Sequence, residues 1–140
     1  MYFITDLQQE AYKRDVTLVQ LREKKRTTRE YLTLAEKVHE ITQRYDIPLI
    51  DDRVDIALAV NAEGAHVGQS DMPVAVARRL MGDSKIVGAT AKTVPQAVEA
   101  YEQGADYLGV GAIYPTTTKV KTVLTSVDTL KEIAKAVRCF

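Results

Sequence analysis

Short apolar segments alternate with helical segments along the whole chain, and this alternation constrains the fold more than any other feature. Strands that are separated by helices form right-handed βαβ units, so successive strands lie parallel in a sheet. We predict six strands, at Tyr2–Thr5, Val16–Leu21, Pro48–Ile50, Ala65–Gly68, Lys85–Ala89 and Tyr107–Ile113.

Five helices are predicted between or after these strands. Thr27 with Glu30, and Thr93 with Gln96, have the spacing of a capping box, which marks the start of a helix. The predicted helices cover Thr28–Tyr45, Asp52–Val60, Pro73–Met81, a segment from Thr93 that ends at Gly104, and Ser126–Val137. Because no linker or low-complexity tract separates these elements, we expect residues 1–140 to form a single domain.

Polar side chains follow nearly every predicted strand, and they help to choose between an open doubly wound sheet and a closed (β/α) barrel. A barrel gathers all the carboxyl ends of its strands around one ring, whereas an open sheet uses mainly its switch point. The pattern therefore favours a barrel. The residues concerned are Gln20, Arg22 and Lys24; Asp51 and Asp52; Gln69 and Asp71; Thr90 and Lys92; and Thr116 to Lys119.

Charge and composition exclude several classes of protein. The 19 basic residues balance the 19 acidic ones, so no overall field points to nucleic acid or to an acidic membrane. The single cysteine, Cys139, cannot form an internal disulfide and fits a reducing compartment. No apolar run reaches the roughly 18 residues of a membrane span, and no signal peptide is evident. We expect a soluble, cytoplasmic chain.

Basic side chains cluster at the end of predicted strand two. Arg22 and Lys24 share a strand face with Gln20, because side chains alternate along a strand. A run of cations is typical of a solvated loop, but at the carboxyl end of a parallel strand it also suits an anion, since arginine can bind phosphate in a bidentate way. Both interpretations remain open at this point.

Acidic side chains follow strands three and four. Asp51, Asp52 and Asp71 are candidate ligands for Mg²⁺, which prefers one or two carboxylates together with substrate phosphates. Aspartate is also common as a helix N-cap, and this alternative applies to the same three residues.

Five blocks of the sequence resemble, in order and in spacing, the thiamine-phosphate synthase family. They read VTLVQLREK, DDRVDIALAV, GAHVGQSDMPVAVARRL, IVGATAKT and GADYLGVGAIYPTTTKVKT. The patterns GxHxGQxD and GVGxIxPTxTK are highly specific, and the resemblance covers essentially the whole chain. It implies the (β/α)8 TIM-barrel fold, here as an incomplete barrel of about six β/α units.

The resemblance also implies an activity. This family joins hydroxymethylpyrimidine diphosphate to a thiazole phosphate in a Mg²⁺-dependent alkyl transfer, which releases pyrophosphate and gives thiamine phosphate. The implied partners are these two small-molecule substrates, and the implied cofactor is Mg²⁺. A pyrimidine carbocation forms early, so no protein nucleophile is required.

Transferred position by position, the resemblance assigns Mg²⁺ binding to Asp52 and Asp71. It assigns stabilisation of the departing pyrophosphate to Arg22, Lys24 and Lys119. Asp51 stands where the family usually has asparagine, and its negative charge is expected to weaken binding of the diphosphate. The implied substrate-binding residues are Gln20, Arg22, Lys24, Asp51, Thr90, Thr116, Thr118 and Lys119.

We expect strands seven and eight of the family pattern to be absent from this chain. Strands one and six would then be open edges, which pairing in a homo-oligomer would cover. Two alternatives are a relative of the thiazole tautomerase and a non-catalytic barrel fragment. Retention of Arg22, Asp52, Asp71 and Lys119 argues against the tautomerase. Whether the isolated chain turns over substrate stays open.

Overall fold

The computed structural model describes residues 2–4, 16–23, 25–114 and 124–137 of the chain. Within these ranges, parallel strands and helices alternate as the sequence predicts. The elements are β1 (Tyr2–Ile4), β2 (Leu18–Leu21), α1 (Thr28–Gln43), β3 (Leu49–Asp51), α2 (Val54–Ala59), β4 (Gly64–Val67), α3 (Val74–Met81), β5 (Ile86–Ala91), α4 (Val94–Glu102), β6 (Tyr107–Val110) and α5 (Val127–Ala136).

The helix N-termini follow local side-chain chemistry. Thr27 and Glu30 form the predicted capping box, in which each side chain accepts a hydrogen bond from the other residue's backbone N–H. At α4 the prediction is half right. Thr93 accepts from the N–H of Gln96, but the Gln96 side chain accepts from the N–H of Lys92 instead. Thr93 therefore caps α4 without a reciprocal box.

Helix α2 is shorter than the predicted Asp52–Val60, and its N-cap is not an aspartate. The N-cap is Arg53, whose backbone is extended and whose side chain makes no capping hydrogen bond. Asp51 is instead the last residue of β3, and its Oδ1 accepts from the Arg53 N–H at 2.9 Å. The N-cap alternative for the two aspartates is therefore wrong for this helix.

The chain divides into two compact units, residues 1–66 with 81–86 and residues 67–80 with 87–140. In the first unit, β1 to β4 pair in chain order, and each pair is parallel. Side chains from β2 and β3 pack against α1 and α2. The buried residues include Val19, Leu21, Leu49, Ile50, Tyr31, Ala35, Val38, Ile56 and Ala57.

In the second unit, β5 and β6 pair in parallel. Gly88 faces Tyr107 in this register, and a Cβ atom at Gly88 would lie only 2.2 Å from the Tyr107 ring, so the aromatic side chain occupies the space that glycine leaves. A second hydrophobic cluster packs around these strands. It contains Ala91, Ala97, Ile133 and Val137, with Val94, Val98, Leu108 and Val110 against it. Strand β6 ends three residues before the predicted Ile113.

Glu63, which directly precedes β4, links β3 to α1 in the first unit. Its Oε2 accepts from the backbone N–H of Leu49 at 2.8 Å, and its Oε1 lies 3.1 Å from Nε2 of the buried His39. These hydrogen bonds lower the pKa of Glu63 against the opposing effect of its burial.

Glu63→Ala is expected to lower the free energy of unfolding by about 2 kcal/mol, because it removes the acceptor of the buried Leu49 N–H. Chemical denaturation measures the change. Glu63→Gln keeps an oxygen acceptor and is expected to lose less. Equal losses in the two variants would contradict this account of the Leu49 contact.

Candidate functional site

Strands β2 and β3 bring charged residues together where they end in the first unit. Leu21 pairs with Asp51 in the parallel register, so the residues that follow, Arg22 and Asp52, are neighbours. The Asp52 N–H donates to the Leu21 carbonyl at 3.2 Å. Arg22 Nε lies 3.7 Å from Asp52 Oδ2, and both side chains are partly exposed. A cation and a carboxylate are therefore paired at the edge of the sheet, within reach of solvent.

Tyr31 joins this pair from helix α1. Its hydroxyl lies 2.6 Å from Asp52 Oδ1, 2.8 Å from Asp51 Oδ1 and 3.2 Å from the Leu21 carbonyl oxygen. Tyr31 is not among the predicted site residues, because helical spacing alone places it on the apolar face of α1 as a packing residue. A tyrosine, rather than phenylalanine, on the face that covers two strand ends was the one available signal of a polar contact.

Asp51 is fully buried beneath the pair. Its Oδ1 accepts from the Arg53 N–H and contacts the Tyr31 hydroxyl, whereas its Oδ2 has no hydrogen-bond partner among the described residues. Burial raises the pKa of Asp51 to about 6, and the nearby charge of Asp52 acts in the same direction, although two hydrogen bonds oppose it. Burial and the Asp51 charge also raise the pKa of Tyr31. Asp51 is thus a carboxyl group that loses its proton at a higher pH than an exposed aspartate does.

Gln20, the third predicted residue of β2, is also buried. It lies two residues before Arg22, on the same side of the strand in the alternating pattern. The predicted grouping of Gln20 with Arg22 is compatible with this placement. Its contact with a substrate stays a prediction.

In the second unit, the segment after β4 forms a tight loop. Asp71 Oδ2 accepts from the Gly68 N–H at 2.8 Å, and Gln69 Nε2 donates to the Thr90 carbonyl at 2.6 Å. These bonds tie the loop to itself and to β5. The same loop lines a pocket of about 200 Å³, whose other wall includes Gln96, Glu99 and Gln103 of α4. The loop therefore holds Asp71 in an exposed position at the carboxyl end of β4.

Several predicted site residues lie outside the described ranges, so their geometry stays a prediction. They are Lys24, Thr116, Thr118 and Lys119. Within the part of the chain that is described, no group of three or more His, Cys, Asp or Glu side chains is placed to hold a metal ion. The roles of Asp52 and Asp71 as a metal pair likewise stay a prediction. Among the described helices, none is long and apolar enough to cross a membrane.

These features define a class of protein: an α/β chain of parallel strands that carries a partly exposed cation–carboxylate pair where neighbouring strands end. The chain belongs to the thiamine monophosphate synthase family, whose profile matches residues 2–139.

Individual relatives agree with the family assignment. The chain is 61% identical over 123 residues to the thiamine-phosphate synthase of Enterococcus faecalis, a match that covers 87% of this chain and 58% of the relative. It is 56% identical over 123 residues to thiamine-phosphate synthase 2 of Streptococcus pneumoniae, covering 87% of this chain and 59% of that protein. The chain therefore spans about six tenths of the length of these relatives.

A solved structure also matches the fold. The thiamine phosphate pyrophosphorylase from Pyrococcus furiosus superposes with a TM-score of 0.79 at 33% sequence identity. The match covers 99% of this chain and 70% of that structure. The α/β architecture with parallel strands is thus shared with this enzyme.

Proposed function

We propose that this chain acts in thiamine-phosphate synthesis, in which a pyrimidine diphosphate is joined to a thiazole phosphate and pyrophosphate is released. The single observation that carries the proposal is the Arg22–Asp52 pair at the adjacent ends of β2 and β3. Family membership, which rests on residues 2–139, supports the choice of reaction. The names of the relatives support the choice of substrates.

In this reaction the protein forms no covalent bond to a substrate. The bond between the pyrimidine methylene carbon and the diphosphate oxygen breaks, and its electron pair leaves on pyrophosphate. The lone pair of the thiazole nitrogen then forms the new carbon–nitrogen bond. The protein must stabilise the negative charge that develops on the leaving group, which is the task of preorganised cations and hydrogen-bond donors.

Arg22 suits this task because its guanidinium is always charged and offers donors in a planar fork that matches phosphate oxygens. Asp52 holds it from one side at 3.7 Å, a distance that leaves the guanidinium able to take a phosphate oxygen as a closer partner. Asp52 thus orients the Arg22 guanidinium while other N–H donors of that group stay available for a phosphate oxygen.

The residues present also fit a magnesium ion. Asp52 is a partly exposed carboxylate beside a phosphate-binding cation, and Mg²⁺ characteristically combines one or two carboxylates with substrate phosphate oxygens. We assign Asp52 as one ligand and Asp71, by family resemblance, as another. When bound, the ion supplies positive charge that stabilises the departing pyrophosphate.

The remaining site assignments are proposals from the same resemblance, as is the (β/α)8 barrel fold to which these strands would belong. Lys24 and Lys119 are proposed to neutralise the diphosphate together with Arg22. Gln20 and Thr90 are proposed to contact the pyrimidine substrate. The resemblance also gives Asp51 a substrate contact, but its complete burial in this structure does not support one. Thr116 and Thr118 are proposed to contact the thiazole phosphate. The parallel β/α order of the described elements supports the barrel.

Isothermal titration of the chain with Mg²⁺ and the pyrimidine diphosphate tests the proposal. The wild-type chain is expected to bind the pair, and Asp52→Asn or Arg22→Gln is expected to weaken binding by about tenfold or more, since each loses a charge-assisted contact. Asp83→Asn and Arg79→Gln remove exposed charges outside the Arg22–Asp52 pair and are expected to bind as the wild type does. No binding by the wild type, or equal binding by all variants, would overturn the proposal.

Product formation is a separate measurement. A coupling assay with thiazole phosphate asks whether the chain completes the reaction after it binds the diphosphate. Thiamine phosphate produced by the wild type and lost in Asp52→Asn would support catalysis by this chain. Binding without product would indicate that the chain retains the diphosphate half of the site alone.

A further inference from the structure

Tyr31 carries a hydroxyl group that its packing does not require. The residue belongs to the buried face of α1, together with Ala35, Val38 and Thr42. Its side chain is almost fully buried, so a phenylalanine ring would fill the same space. The Tyr31 hydroxyl is therefore explained by its hydrogen-bond partners and not by the packing of α1.

The hydroxyl has one hydrogen to donate and three acceptors around it. The shortest of the three distances is the 2.6 Å to Asp52 Oδ1, which lies in the range of a charge-assisted O–H···O⁻ hydrogen bond. Asp51 Oδ1, at 2.8 Å, is a second carboxylate acceptor, and the Leu21 carbonyl, at 3.2 Å, is a poorer one. The Tyr31 hydroxyl therefore lies between the two carboxylates, and its shortest hydrogen bond is to Asp52.

This hydrogen bond controls the orientation of the Asp52 carboxylate. With Oδ1 bound to the buried hydroxyl, Oδ2 is the oxygen on the side of Arg22, at 3.7 Å from its Nε. A carboxylate that is held at one oxygen cannot rotate freely. The other oxygen, Asp52 Oδ2, is therefore kept in a position where it can bind a cation. Groups that hold a metal ligand in this way commonly matter to metal affinity by 10-fold to 100-fold.

We propose that Tyr31 is a positioning residue that holds Asp52 in the orientation needed to bind a divalent cation. The inference rests on the proposed function, because it takes Asp52 as a metal ligand. It adds a residue from helix α1 to a site otherwise built from strand ends. Tyr31 acts through Asp52 and touches neither the metal nor the substrate.

Binding of Mn²⁺ in the presence of inorganic pyrophosphate, followed by electron paramagnetic resonance, tests the role of Tyr31. Tyr31→Phe keeps the ring and removes the hydroxyl, and it is expected to weaken Mn²⁺ binding by about tenfold. Tyr101→Phe, which removes the hydroxyl of a partly exposed tyrosine in α4, is expected to bind as the wild type does. Asp52→Asn is expected to bind least.

The outcomes separate the two proposals. Loss of Mn²⁺ binding in the wild type itself would overturn the proposed function and this inference with it. Binding by the wild type, loss in Asp52→Asn and no change in Tyr31→Phe would overturn the inference alone. Thermal denaturation without metal shows whether Tyr31→Phe is folded when its affinity is measured.

A second measurement observes Tyr31 in the wild type, and uses Tyr31→Phe only to assign its signal. Tyrosine labelled with ¹³C at the ring carbon that bears the hydroxyl gives one signal for each of the seven tyrosines. Addition of Mg²⁺ and pyrophosphate to the wild type is expected to shift the Tyr31 signal, because the charge on its acceptor Asp52 is then shared with the ion. An unchanged Tyr31 signal at saturating Mg²⁺ would overturn the inference.

Discussion

Asp51→Asn is expected to stabilise the protein above pH 6 by about 3 kcal/mol relative to the wild type. Asp51 is fully buried, and burial raises its pKa from 3.8 to about 6 in the folded state. A pKa difference of this size corresponds to about 3 kcal/mol. Asparagine has nearly the same size, cannot ionise, and keeps an oxygen that accepts from the Arg53 N–H.

The pH dependence follows from the sign of the shift. Below about pH 4, Asp51 is protonated in both the folded and the unfolded protein, so its ionisation does not lower the free energy of unfolding. Between about pH 4 and pH 6 the unfolded chain releases the proton more readily, so the wild type loses stability as the pH rises. Above pH 6 the loss is complete, and the advantage of the variant levels off.

Urea denaturation of both proteins from pH 4 to pH 8, in the presence of a chelator, measures this difference. Comparing the two proteins isolates Asp51 from the other titrating groups. Asp83→Asn, which changes an exposed aspartate, is the matched control and is expected to follow the wild type. A stability difference between Asp51→Asn and the wild type that does not grow between pH 4 and pH 6 would contradict the account of Asp51.

Gly64→Ala is expected to destabilise the protein by about 3 kcal/mol. A Cβ atom at Gly64 would lie 2.4 Å from the Ile86 carbonyl oxygen and 2.6 Å from Ile50 Cδ1. The Ile50 side chain can turn away, but the Ile86 carbonyl is backbone at the start of β5 and cannot move without disturbing the sheet. Denaturant unfolding monitored by circular dichroism measures the change.

Gly82→Ala is the comparison for Gly64→Ala, because it separates steric overlap from loss of glycine's backbone freedom. Gly82 has a φ of +76°, and a Cβ atom there would meet nothing within 4 Å. Its replacement therefore adds backbone strain alone, about 1 kcal/mol. If Gly64→Ala cost no more than Gly82→Ala, the close approach of the Ile86 backbone would not limit residue 64.

Much of the fold could be predicted from local patterns. The apolar face of α1 and the capping pair Thr27–Glu30 set the start of that helix, since both signals depend on residues within a few positions of each other. The end of β6 at Val110 and the start of α2 at Val54 were less predictable. Both depend on hydrogen bonds that are made only once neighbouring elements are in place.

The candidate site, too, could be predicted from the sequence only in part. Arg22 and Asp52 could be predicted as neighbours, because parallel strands with helical connections bring their carboxyl ends to the same edge. The burial of Asp51 and the contact of Tyr31 with both aspartates could not be predicted, since alternation along a strand does not say how deeply a helix covers its end. The placement of Asp71 as a metal ligand beside Asp52 stays a prediction.

The sequence by itself determined the order of helices and strands, the start of α1, and that charged side chains follow the strands, because these properties depend on local spacing and chain order. Only the tertiary structure decided which of those charges are accessible. The packing of α1 over β2 and β3 buries Asp51, leaves Asp52 partly exposed and directs the Tyr31 hydroxyl between them. Burial depends on contacts between residues that are distant in the chain. It raises the pKa of Asp51, whereas the neighbouring Asp52 stays partly exposed and pairs with Arg22.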